Sequence, residues 1–107
     1  MKLTIGTRQI GDHRPCLVVA EIGVCHQGDP ELAARMINVA AECGVGAVKF
    51  QRRTVDAILT QEAQIAPYVN ERSFGATYGD HRRALELPDE VWPQLQALAH
   101  DRGLLFF

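Results

Sequence analysis

The sequence predicts an α/β protein: the N-terminal part of a (β/α)8 TIM barrel, truncated in its third barrel strand and preceded by a short β-hairpin. Three observations carry this. The continuous apolar runs Cys16-Leu17-Val18-Val19-Ala20 and Ala47-Val48-Lys49-Phe50 suit strands covered on both faces, as in a parallel sheet. Helix, glycine and strand follow one another twice, at Gly44 and at Gly103, as in successive βα units. The first strand–helix turn, Glu21 to Gly28, lacks the GxGxxG spacing of a dinucleotide fold, which tilts the choice from an open doubly wound sheet toward a closed barrel.

The elements follow in order. Residues 2–5 and 8–10 alternate around Gly6 and end at Gly11-Asp12, a hairpin pattern. The first buried strand is expected over 16–20, with Leu17, Val19 and Glu21 on one face. Asp29 is a good N-cap, Pro30 suits the first helical position, and Glu31 complements the positive helix end. Leu32, Met36, Val39, Ala40 and Cys43 share one face and predict the buried side, with Gly44 as the stop. Strand 47–50 follows. A second helix is expected from about Asp89 to Arg102, burying Val91, Leu95, Leu98 and Ala99, with a late start because of Pro93. Between them, residues 52–86 form a long excursion with short helical pieces over Val55 to Gln64. A connection of that length is usually functional.

Gly103-Leu104-Leu105-Phe106-Phe107 reads as the entry into a third buried strand, so the expectation is an incomplete piece, residues 1–107, of one barrel domain. A net charge of −2 over 107 residues gives no positive cluster to recruit nucleic acid or an anionic membrane. No apolar run approaches the roughly 20 residues of a membrane span. The start lacks a signal-peptide core, and three cysteines without CxxC spacing are expected to be free thiols in a reducing, cytoplasmic setting.

Two residues stand out chemically. Glu21 ends the first strand and would sit at the C-terminal mouth, where barrel enzymes keep their chemistry; a solvated loop glutamate is the bland alternative. Lys49 places a cation inside a buried strand, on one face with Gln51, where an unpaired charge is expensive. Such a lysine can bind a carboxylate or phosphate, or act as a nucleophile, or serve a structural ion pair, Glu21 being one partner. His26, on the following loop, could be a donor or base toward a substrate, or play a local role. Tyr78, Asp80, His81, Arg82 and Arg83 lie beside a glycine-flanked turn that could cradle an anion, and Asn70 and Arg72 are similarly placed.

The strings Val19-Ala20-Glu21-Ile22-Gly23-Val24-Cys25-His26-Gln27-Gly28-Asp29, Ala47-Val48-Lys49-Phe50-Gln51 and Thr77-Tyr78-Gly79-Asp80-His81-Arg82 together resemble the N-terminal part of sialic acid (N-acetylneuraminate) synthases, including those making legionaminic and pseudaminic acids. The resemblance spans nearly the whole chain in order. It implies an enzyme that condenses phosphoenolpyruvate with an open-chain N-acylated amino sugar, such as N-acetylmannosamine, and releases phosphate. It also implies a divalent metal, Mn2+ or Mg2+, with ligands further along the barrel, and a cytoplasmic, domain-swapped homodimer completed by an antifreeze-like domain. Glu21 would correspond to the glutamate near the reacting sugar carbonyl, and Lys49 to the lysine that holds phosphoenolpyruvate, with Gln51 lining the same pocket. Asn70 and the segment Tyr78 to Arg82, His81 included, would face substrate. Cys25 stands where that family usually has asparagine, which bears on the choice of sugar. A Schiff-base aldolase using Lys49 and a catalytically silent fragment are the competing readings.

Overall fold

The computed structural model describes residues 1–107. The hairpin forms as expected: β1 (Lys2–Ile5) pairs antiparallel with β2 (Arg8–Gly11). The main sheet is parallel, in the order β3 (Val19–Gly23), β4 (Ala47–Phe50), β5 (Leu105–Phe106). The first strand of this sheet thus lies about three residues later than its apolar run predicts. The carbonyl of Val18 already accepts from Gly46 and Ala47, but the ladder itself begins at Val19, and Val18 is exposed.

Helix α1 (Pro30–Glu42) starts where the sequence says it should. The Asp29 carboxylate accepts the N–H groups of Glu31 at 2.8 Å and Leu32 at 3.2 Å, and Pro30 occupies the first turn. Asp29→Ala is therefore expected to cost about 1 kcal/mol, read as a lower urea midpoint at unchanged slope. Helix α5 (Trp92–Asp101) begins late, as Pro93 predicts, after a 3-10 turn at Asp89–Val91. Both helices stop at a left-handed glycine, Gly44 and Gly103.

The buried face of α1 differs from the expected one. Ala33, Ile37 and Ala40 are buried, whereas Leu32, Met36, Val39 and Cys43 line an open apolar groove with Ala20, Ile22 and Val45 at the free edge of β3. The helix carries two apolar stripes. The stripe with two alanines permits close approach to α5 and the sheet, and it takes the core. Ile22, Val48, Phe50 and Leu104 from the strands meet Ala33, Ile37, Leu95 and Ala99 from the helices in that core. By strand alternation Val19, Glu21 and Lys49 fall on the other face of the sheet. The hairpin braces the opposite end: Gly6 lies against Leu105, and Arg8 donates to the Gly103 carbonyl at 2.9 Å.

The excursion holds α2 (Val55–Ile58), α3 (Gln61–Ile65) and α4 (Tyr78–Ala84). The stretch expected to be a glycine-flanked anion cradle is instead helical from Tyr78, with Gly79 buried and the Thr77 hydroxyl capping it. Arg83 faces Asp56 at 2.8 Å and also bonds Gln64, tying α4 to the two preceding helices. No helix is long and apolar enough to cross a membrane.

Candidate functional site

The parallel register sets Glu21 directly opposite Lys49 at the carboxyl ends of β3 and β4. Lys49 Nζ donates to Glu21 Oε1 at 2.7 Å, with the two side chains 37% and 58% exposed. An ion pair this open to solvent contributes about 0–1 kcal/mol to stability, too little to explain why a lysine lies between Val48 and Phe50 in a strand. The pair is better suited to exchange partners: an incoming anion can take the ammonium, which leaves the carboxylate free to accept from a hydroxyl.

Just past Glu21 the register shifts, with Ile22 as the extra residue, and the Gly23 carbonyl accepts the Gln51 N–H at 3.1 Å. The Gln51 side chain lies beside Gly23 and accepts from the Arg53 guanidinium, while the Arg53 N–H donates to Glu86 Oε2 at 3.0 Å. Arg53 adjoins Gln51 at this candidate site, a neighbour that the sequence reading missed. The signal was present, because 49, 51 and 53 share parity, but the chain leaves the strand after Phe50 and parity loses its force there.

The remaining expected residues fall into two other groups. Tyr78 and His81 join Tyr68 and Phe74 in an aromatic cluster: the His81 ring is 4.6 Å from Tyr68, its Nδ1 accepts the Phe74 N–H at 3.1 Å, and Arg82 lies 5.5 Å from the centre of the Tyr78 ring. Asn70 is exposed, and its side chain caps a turn by accepting from the Arg72 N–H at 2.8 Å. No hydrogen bond joins this cluster to the Glu21–Lys49 pair. Of the two readings of His26, the burial favours the local one: it is completely buried on the helix side of the sheet, against Phe50 and Trp92, and away from the Glu21–Lys49 pair. Cys25 beside it is exposed and forms no disulfide. No three His, Cys, Asp or Glu side chains converge in this chain.

A parallel β/α layer, helices on one face and a charged pair at the carboxyl ends of the strands, defines part of a β/α-barrel. The chain belongs to the NeuB family, whose model matches residues 36–107. It is 40% identical over 99 residues to the N-acetylneuraminate-9-phosphate synthase of Mus musculus, covering 92% of this chain and 28% of that protein. It is 34% identical over 102 residues to the N,N'-diacetyllegionaminic acid synthase of Legionella pneumophila, covering 94% of this chain and 29% of that protein. The crystal structure of the N-acetylneuraminic acid (sialic acid) synthetase from Leptospira borgpetersenii serovar Hardjo-bovis matches it with a TM-score of 0.74 at 27% identity, over 100% of this chain and 33% of that one. The chain thus spans a third or less of the length of these relatives.

Proposed function

We propose that this chain supplies two strand-end groups to a sialic-acid-type synthase, which condenses phosphoenolpyruvate with an N-acylated amino sugar such as N-acetylmannosamine and releases phosphate. The observation that carries this reading is the solvent-open Glu21–Lys49 pair, in register across the carboxyl ends of two parallel strands in a NeuB-family chain.

In this reading the Lys49 ammonium exchanges Glu21 for the anionic groups of phosphoenolpyruvate, and Gln51 and Arg53 extend the same wall. The freed Glu21 carboxylate accepts from a hydroxyl of the sugar and holds its aldehyde carbon against the enol carbon. The enol carbon forms the new C–C bond, water adds at the resulting cation, and phosphate leaves. The aromatic cluster around Tyr78 and His81, with Arg82 and Asn70, would face the sugar from the excursion. A divalent metal, Mn2+ or Mg2+, would have to be held by residues other than these.

The test uses a protein of the relatives' full length that carries these residues. Phosphate release from phosphoenolpyruvate with N-acetylmannosamine and Mn2+ is expected only when both substrates are present. Borohydride added during turnover is expected to leave the peptide containing Lys49 unmodified by mass. A reduced substrate adduct on Lys49 would overturn the clamp and promote a Schiff-base aldolase.

A further inference from the structure

His26 is a buried titratable group that the proposed chemistry does not use. Its ring centre lies 5.9 Å from that of Phe50 and 6.3 Å from that of Trp92, which it meets edge-on. Nδ1 accepts the Gly28 N–H at 3.1 Å, which assigns the proton to Nε2; Nε2 has no partner at hydrogen-bond distance and geometry, and the Gly23 carbonyl acts on the ring only as a nearby dipole.

The loop around this ring does not hold its shape by local preference. It winds through successive turns, Cys25 to Ile22, Gln27 to Val24 and Asp29 to His26. It takes left-handed backbone at Gly23, Gln27 and Gly28, and Gln27 is a side-chain-bearing residue in that region. Gly28 also lies flat against the end of the excursion, where a Cβ would come within 2.4 Å of the Ala84 carbonyl oxygen. At its other end the loop is continuous with Glu21 and with the Gly23 carbonyl that receives the Gln51 N–H. One inserted side chain therefore stands between the strand-end pair and the docking of residues 84–86.

We propose that His26 is a positioning residue for the Glu21–Lys49 pair: its ring, packed against Phe50 and Trp92 and bonded to the Gly28 N–H, fixes the loop that follows Glu21. The activity readouts below rest on the synthase reading; the loop geometry does not.

Burial pushes the His26 pKa below the ordinary histidine value of 6.5, while the Glu86 carboxylate and the Gly23 carbonyl pull it back up. Phe50 and Trp92, from the other packed elements, bring no charge. Protonation would remove the Nδ1 lone pair from Gly28 and leave a cation among aromatic rings. The folded state therefore binds fewer protons than the unfolded state just below pH 6.5. Its stability is fully present above that value and declines as pH falls toward the lowered one.

The experiment compares wild type, His26→Phe and His26→Asn in the full-length protein, between pH 8 and about pH 5.5. His26→Phe keeps a ring but loses the acceptor, and is expected to lower kcat by roughly ten- to a hundredfold with little change in KM for phosphoenolpyruvate. His26→Asn places an amide oxygen near the Nδ1 position, and is expected to restore most of kcat while removing the acid decline that wild type shows. In parallel, nitrogen NMR of the wild-type imidazole is expected to show the Nε2-protonated form persisting below the ordinary histidine pKa. Wild-type kcat and pH profiles in both variants, or an imidazole that titrates like a solvated one, would overturn the proposal. An inactive wild type with the expected imidazole spectrum would instead sink the synthase reading and uphold the pinned loop.

Discussion

Lys49→Ala, made in a protein of full length, is expected to raise KM for phosphoenolpyruvate and lower kcat/KM by about 10²- to 10³-fold. The size follows from removing one charged donor from a site built to receive an anion, about 2.7–4 kcal/mol. The substitution also leaves Glu21 without the partner it now holds at 2.7 Å, so a carboxylate would face the incoming anion and repel it. Glu21→Ala should behave differently. It removes no partner of phosphoenolpyruvate, so the main loss should be in kcat, with KM for that substrate nearly constant. Steady-state phosphate release with each substrate varied in turn separates the two patterns. Normal kinetics in both variants, with normal circular dichroism, would show that the pocket lies elsewhere.

The 107 residues expressed alone are expected to release no phosphate at all and to self-associate. A closed barrel needs eight strands and about 250 residues, whereas the parallel sheet here has three strands. The outer edges of β3 and β5 carry unpaired backbone groups, and the groove beside α1 leaves Val39 56% exposed. Open edges next to apolar surface favour pairing between copies. Size-exclusion chromatography and the phosphate assay check both halves of the expectation. A monomer with Mn2+-dependent turnover would contradict it.

The sequence revealed most clearly those parts of the fold in which local chemistry decides. Asp29-Pro30, Gly44, Pro93 and Gly103 mark helix ends through backbone hydrogen bonds made within a few residues, and the structure places the ends there. Strand 47–50 was equally legible because three of its four residues, Ala47, Val48 and Phe50, are apolar and buried. The face of α1 was not, since hydrophobicity alone cannot rank two apolar stripes; the choice depends on how closely α5 can approach Ala33 and Ala40. At the site, parity within strands put Lys49 at the strand end facing Glu21, since two parallel strands in register must align such residues. The choice between the two readings of His26 stayed open for the opposite reason. A histidine on a loop looks solvent-facing in sequence, and only the turn back over Phe50 and Trp92 buries it.

The bond from Arg8 to the Gly103 carbonyl joins residues 95 apart in the chain. Closing so wide a span costs chain entropy before any contact rewards it, so the clasp is expected to form late in folding. Contacts made that late are absent from the transition state, and they set how slowly the molecule comes apart rather than how fast it assembles. The small hairpin, at the end of the sheet opposite the Glu21–Lys49 pair, is therefore expected to act on unfolding: in a full-length protein, Arg8→Ala should speed unfolding and leave the refolding rate almost unchanged.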